Sequence, residues 1–196
     1  MKRWIDILLS ALGLLLASPV MFIISVVIIL TSRGSIFHVA RRAGRTGELF
    51  YLYKFRTMVP NAQALGSGIT ASDDKRITTV GRILRATKLD ELPQLINVLK
   101  GDMSFVGPRP EDPRFLRHYP DDLLPILRFK PGITSPASIA FRNESAMLTS
   151  GDHEREYIER ILPEKLRLDL EYFQRSTFRS DLALIFQTIA AIFRRA

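Results

Sequence analysis

The sequence predicts an α+β fold: a membrane-inserted helical segment at residues 1–34, then a small mixed α/β domain at 35–196. Three observations predict it. No residue from Ile7 to Ser32 is charged, a run too long for an ordinary core helix. Two stretches rich in aromatic and β-branched residues flank Ala43-Gly44-Arg45-Thr46-Gly47, the pattern of a β-hairpin. Apolar residues then recur at helical spacing between Ile77 and Leu99 and again from Leu182 to Phe193.

The first segment has three readings. A secretory leader would use Lys2 and Arg3 as its basic start, but the apolar run continues well past Ala17 and Pro19 makes cleavage awkward, so that reading is rejected. A spanning helix has sufficient length. Against it, Ser18-Pro19 divides the run into halves of about 11 residues, each about 17 Å as helix and reaching only mid-bilayer. Proline also removes a backbone bond and kinks a helix. Basic residues flank both ends, Lys2 and Arg3 before and Arg33, Arg41, Arg42 and Arg45 after. A straight span would leave one cluster on the non-cytoplasmic side, whereas a helix-break-helix hairpin keeps both on one side. On physics alone the kinked span and the hairpin stand level.

Ser35 to Arg42 and Glu48 to Met58 are the expected strands of the hairpin, and two-residue periodicity puts Lys54 and Arg56 on one face of the second. Residues 61–75, with Gly66-Ser67-Gly68, read as a loop. Ile77, Val80, Ile83 and Leu84 mark a helix, followed through Thr87-Lys88-Leu89 by a second expected to start near Asp90 and run to Lys100. Leu92, Leu95, Ile96 and Leu99 form its apolar stripe. Pro93 is tolerated in its first turn. Seven prolines between Pro108 and Pro136 predict a stiff, irregular segment laid over the domain. Glu154 to Arg175 alternates charge with Ile158, Ile161, Leu162, Leu166 and Leu170, the pattern of solvated helices with one buried stripe. Ser180-Asp181 is read as the start of a C-terminal helix ending near Arg194-Arg195. Its wide apolar face suits packing on the domain and an in-plane membrane position equally.

Composition narrows the partners. The net charge of +8 over 196 residues favours anions: nucleic acid, lipid headgroups or nucleotide sugars. No nucleic-acid motif or aromatic-basic stacking platform is present, so nucleic acid is not expected. Neither a Walker pattern nor a Gly-x-Gly-x-x-Gly fingerprint occurs. There is no cysteine, and His38, His118 and His153 are scattered, which excludes thiolate sites and gives no zinc spacing.

The chemistry concentrates between Lys88 and Pro110. Asp90 and Glu91 sit at a helix start, where the dipole favours an ionised carboxylate, with Arg85 and Lys88 before them and Arg109 after on Pro108-Arg109-Pro110. An aspartate there is ordinarily only a cap. Arginine's planar fork grips phosphate oxygens in pairs, so Arg109, and Arg142 from Phe141-Arg142-Asn143, are candidate phosphate holders.

Lys88 to Pro110, together with Tyr53-Lys54-Phe55-Arg56-Thr57-Met58 upstream and Lys130-Pro131-Gly132-Ile133-Thr134 downstream, resembles the bacterial monotopic phosphoglycosyl transferases. The resemblance covers nearly the whole chain and begins almost at Met1, without the extra N-terminal membrane helices of larger members. It implies the hairpin, a re-entrant helix broken at Ser18 and Pro19, with the domain on the cytoplasmic face of the bacterial inner membrane. It also implies that Asp90 attacks a nucleotide diphospho-sugar, with uridine as the expected base, and that the phosphosugar passes to polyprenyl phosphate. Lys54, Arg56, Arg85, Arg109 and Arg142 then hold phosphates. Oxygen ligands without sulfur favour Mg2+, with Asp90 and Glu91 as its candidate ligands. A homodimer stays open. After Pro-Gly-Ile-Thr the chain departs from the family's common Gly-Trp-Ala-Gln, having Ser135-Pro136-Ala137-Ser138 instead, so the alignment of Arg142 and the sugar preference do not carry over directly. The alternative expectation is a membrane-anchored basic binding module without catalysis.

Overall fold

The computed structural model describes residues 2–62, 69–70, 74–148 and 152–193. The stretch around Gly66-Ser67-Gly68 and the pair Arg194-Arg195 lie outside them.

Helix α1, Lys2–Thr31, takes up the apolar run as one uninterrupted helix with Pro19 inside it. The expected division at Ser18-Pro19 is therefore not a gap in the helix. Ser18 Oγ bonds back to the Leu15 carbonyl at 2.8 Å, and the proline removes one helical bond without ending the ladder. The face toward the domain carries Asp6, Ser10, Ile24 and Ile28, all buried. Trp4, Leu8, Leu12, Leu15, Leu16, Phe22, Ile23 and Leu30 are exposed on the rest. In water such a surface would be a large unsatisfied apolar patch.

Both ends of α1 are tied to the domain by polar groups. Near its start, Asp6 Oδ1 accepts from Ser104 Oγ and the Phe105 N–H at 3.1 and 3.2 Å, and Arg3 donates to the carbonyls of Val98 and Leu99. Beyond its end, the Arg56 guanidinium donates to the Ser32 carbonyl and hydroxyl at 2.9 and 2.7 Å.

Strands β1, Phe37–Ala43, and β2, Leu49–Phe55, pair antiparallel from Phe37↔Phe55 to Ala43↔Leu49, matching the expected hairpin. Ile24, Ile28, Phe55 and Leu84 form a small core between α1, β2 and helix α2, Thr79–Thr87. A 3-10 turn, Leu89–Glu91, then leads to helix α3, Gln94–Lys100. The second helix thus begins four residues later than expected. Pro93 has no N–H to give, so it sits at the N-cap and Asp90 falls in the tighter turn before it. Leu95 and Leu92 pack toward α1, and Gly101, at φ 99, ends α3 as a left-handed cap.

Strands β3, Ser104–Val106, and β4, Gly132–Thr134, pair in parallel. The proline-rich chain between them is irregular as expected, with 3-10 turns at Pro113–His118 and Asp121–Arg128. Short helices α4, Pro136–Ala140, α5, Glu144–Met147, and α6, His153–Glu156, follow. A π-helical turn, Tyr157–Ile161, joins α6 to helix α7, Leu162–Phe173. The largest core, including Val106, Phe115, Ile126, Tyr157, Ile161, Leu162 and Phe173, lies around α7.

Helix α8, Phe178–Phe193, starts two residues before Ser180. Thr177 and Ser180 bond each other's backbone N–H groups at 3.2 and 2.8 Å, a reciprocal cap that moves the start upstream. Asp181 and Leu184 are buried against the domain while Phe178, Leu182, Phe186 and Ile189 are exposed, so this helix both packs and presents an apolar face.

Candidate active site

The acidic pair is delivered by a turn that the sequence around it enforces. Thr78 caps α2 by accepting from the Gly81 N–H at 2.9 Å. Lys88 ends α2 in the left-handed region, φ 58, an unusual conformation for a side-chain-bearing residue. The chain reverses there, and Leu89–Glu91 turns Asp90 and Glu91 inward. Asn97, fully buried on α3, accepts from the Tyr53 N–H at 3.0 Å and donates to the Tyr51 carbonyl at 2.6 Å. It binds the free edge of β2 and so fixes Lys54 opposite Glu91.

Arg109 arrives from the other side. The β3–β4 crossing has Gly107 and Gly132 in backbone contact: a Cβ on Gly132 would stand 2.1 Å from the Gly107 nitrogen, and one on Gly107 2.2 Å from the Lys130 carbonyl oxygen. Only glycine fits at either position. This contact holds Pro108-Arg109-Pro110 against the acidic turn.

Glu91 Oε1 accepts from Lys54 Nζ and Arg109 Nη2, both at 2.8 Å. Burial opposes its charge, but the Arg109 and Lys54 cations win, and the carboxyl is held well below the usual range. Glu91 is a fixed anion that fastens two cations. Asp90 is the opposite case. Burial first and the neighbouring Glu91 charge second push its pKa up, against the pull of Lys54, Lys88 and Arg85. Its Oδ1 has no hydrogen-bond partner among the described residues. A buried carboxylate oxygen left unbonded is costly, and such costs cluster at sites awaiting a ligand.

The candidate phosphate holders divide in the structure. Lys54, Arg85 and Arg109 surround the pair; Arg85 is steadied by its Nε donating to Thr57 Oγ1 at 2.8 Å, and its charge is felt at Asp90. Arg56 is not brought to this cluster, because it leaves the strand face expected from periodicity and closes the end of α1. The guanidinium of Arg142 bonds the Ala191 carbonyl on α8, while its own carbonyl accepts from Lys88 Nζ at 3.4 Å. Its backbone is at the rim and its charge points away.

No group of three or more His, Cys, Asp or Glu able to hold a metal occurs among the described residues. Asp90, with an oxygen to spare, fits a divalent ion that keeps several waters and takes its remaining ligands from phosphates. Glu91 fits less well, since its Oε1 already serves two cations.

Two charged residues that the sequence stripe concealed lie behind Arg109. Lys165 and Asp169, one turn apart on α7, are both buried. Lys165 Nζ donates to Glu111 Oε1 and Glu144 Oε2 at 2.8 Å and to Tyr157 Oη at 2.9 Å. Asp169 accepts from the Ala137 N–H at 2.9 Å and from the Arg109 N–H, and burial pushes its pKa up to about 6 despite these bonds. The signal for both was a lysine and an aspartate four residues apart in register with Ile161, Leu162, Leu166 and Leu170. A cavity of about 30 Å³, room for one water, lies between them and Pro108-Arg109-Pro110.

The family described as bacterial sugar transferase matches residues 1–195. The chain belongs to that family. Among its curated relatives is an undecaprenyl-phosphate galactose phosphotransferase of Salmonella typhimurium, 37% identical over 210 residues covering 100% of this chain and 41% of that protein. The exopolysaccharide production protein ExoY of Sinorhizobium fredii is 33% identical over 97% of this chain and 84% of its own length. An undecaprenyl-phosphate glucose phosphotransferase of Komagataeibacter xylinus is 34% identical over 96% of this chain and 35% of its own. The chain thus spans less than half of two of these relatives and most of the third. Within the family's matched region fall α1, the acidic turn and all the cations named above.

Proposed function

We propose that this bacterial sugar transferase moves a phosphosugar from a nucleotide diphospho-sugar, with uridine as the expected base, to polyprenyl phosphate, the first membrane step of glycan assembly. The observation that carries the reading is Asp90: a buried carboxylate with an unbonded oxygen, within reach of the charges of Lys54, Lys88 and Arg85 and next to Glu91, which Lys54 and Arg109 already neutralise. The names of the relatives supply the substrate class.

An Asp90 carboxylate oxygen attacks the sugar-bearing phosphorus. The bond from that phosphorus to the nucleoside monophosphate oxygen breaks, and an acyl phosphate forms. A phosphate oxygen of the lipid then attacks the same phosphorus and returns the Asp90 carboxylate, giving polyprenyl-diphospho-sugar. No net proton is required in either step. Each step brings anions together, and the cations of Lys54, Arg85 and Arg109 offset that repulsion. Glu91 keeps Lys54 and Arg109 in place rather than reacting. Mg2+, which Asp90 would hold, would supply further neutralisation of phosphate charge when bound.

The exposed apolar surface of α1 enters the membrane as a re-entrant hairpin bent at Ser18-Pro19; polar bonds from both ends to one domain and the exposure of Ser18 and Pro19 support that reading. The apolar face of α8 lies in the same headgroup layer. The domain then sits on the cytoplasmic face of the inner membrane, where soluble donor meets lipid acceptor.

Detergent-solubilised protein given Mg2+, polyprenyl phosphate and a panel of uridine diphospho-sugars is expected to release uridine monophosphate with at least one sugar. Labelled phosphosugar should be trapped on the wild type and not on Asp90→Asn. Full turnover by that variant would remove Asp90 as nucleophile, and silence with every sugar would favour the non-catalytic binding module.

A further inference from the structure

Lys165 does not touch the acidic turn, yet it joins the two segments that flank it. Its ammonium, 6% exposed, is shared between Glu111, two residues after Arg109, and Glu144, two residues after Arg142. Tyr157 closes its third position. All three donor directions of an ammonium are therefore used. The reason for so complete a capture lies with Arg109. Glu91 acts on it most strongly and bonds it directly, but the Glu144 and Glu111 charges reach it as well, so three carboxylates lie within electrostatic reach of one guanidinium, and only Glu91 belongs to the acidic turn.

We propose that Lys165 is a positioning residue: by neutralising Glu111 and Glu144 it keeps them from drawing Arg109 off Glu91, and so reserves Arg109 for the donor's phosphates. The proposal rests on the phosphosugar-transfer reading given above. A lysine at this depth is costly to desolvate without partners; with two carboxylates and a phenol it is fully satisfied. Replacing it would leave the Glu111 and Glu144 carboxylates without their cation, the first 12% and the second 30% exposed, and both within reach of the Arg109 charge. The neighbouring Asp169 holds the Arg109 backbone from the next turn of α7, so the side chain is the part of Arg109 left free to move.

The test uses the full chain in detergent, assayed well below its melting transition. Lys165→Met is expected to lower kcat by up to about a hundredfold, the loss that follows when a change away from the chemistry misplaces a group by about 1 Å. The triple variant Lys165→Met/Glu111→Gln/Glu144→Gln, which removes the rival anions along with the ammonium, is expected to recover most of that loss. It also keeps the test open if Lys165→Met does not fold, because the two carboxylates that Lys165 binds are neutralised along with it. In an Arg109→Lys background, Lys165→Met should cost less than about threefold, since coupled residues are not additive. A folded triple variant as slow as Lys165→Met would overturn the proposal, as would an equal loss from Lys165→Met in both Arg109 backgrounds. A wild-type protein that turns over no sugar would instead remove the transfer reading on which this rests, whereas an active wild type with a fully active Lys165→Met removes only the role of Lys165.

Discussion

Asp90 and Glu91 are adjacent carboxylates that their surroundings drive in opposite directions. Glu91 gains two charge-assisted bonds and stays ionised; Asp90 Oδ1 gains no hydrogen bond among the described residues and the carboxyl is penalised for its burial. The folded state therefore holds a proton on Asp90 more readily than the unfolded chain, so an ionised Asp90 works against folding at neutral pH. Asp90→Asn is expected to be inactive and to melt a few degrees higher than wild type, a trade that thermal unfolding in detergent will show. A lower melting temperature would mean that Asp90 has a bonded partner after all. Asp169 offers a second check with the sign worked out. Its pKa rises from 3.8 to about 6 on folding, so its contribution to stability is full below about pH 4 and is lost as pH passes through about 6. Wild-type stability measured relative to Asp169→Asn by urea unfolding should fall across that interval and stay level above it.

At the scale of elements, the site depends on a few short pieces meeting at set distances. The β3–β4 pair is only a few residues long, and its backbone contact at Gly107 and Gly132 aims Arg109. Gly132→Ala would drive a methyl group into the Gly107 backbone, and overpacking against backbone cannot be relieved by a rotamer change. It is expected to cost about 2–3 kcal/mol of stability and most of the activity, measured as unfolding midpoint and uridine monophosphate release. The hairpin, α2 and the C-terminal helix were legible because period-2 and period-3.6 patterns report burial directly. The start of α3 was misplaced because Pro93 allows either position by local rules, and only packing decides between a helical and a 3-10 first turn. Arg56 was misassigned to the face of Lys54 because the strand ends at Phe55, and periodicity does not extend past a strand's end. Lys165 and Asp169 were hidden in a helix whose charges looked solvated.

For the whole molecule, the arrangement of α1 sets which surface the site faces. Arg3 and Asp6 at one end and Ser32 at the other reach the same domain, although a straight helix of 30 residues would be about 45 Å long. Because the chain has no cysteine, single substitutions Lys2→Cys and Ser35→Cys give a clean topology test. In intact spheroplasts, neither should react with an impermeant maleimide, and both should react after lysis. Labelling of Lys2→Cys alone from outside would establish a span instead of a hairpin. The sequence by itself determined the α+β class, the long apolar N-terminal helix and the acidic turn with its basic neighbours, because each is written in composition or in a local period. Only the tertiary structure decided which cations reach Asp90, that Glu91 is a fastener, and that α7 supplies a buried lysine and aspartate behind Arg109. Those outcomes depend on contacts between residues far apart in the chain, where desolvation and charge pairing are set by neighbours that no local pattern records.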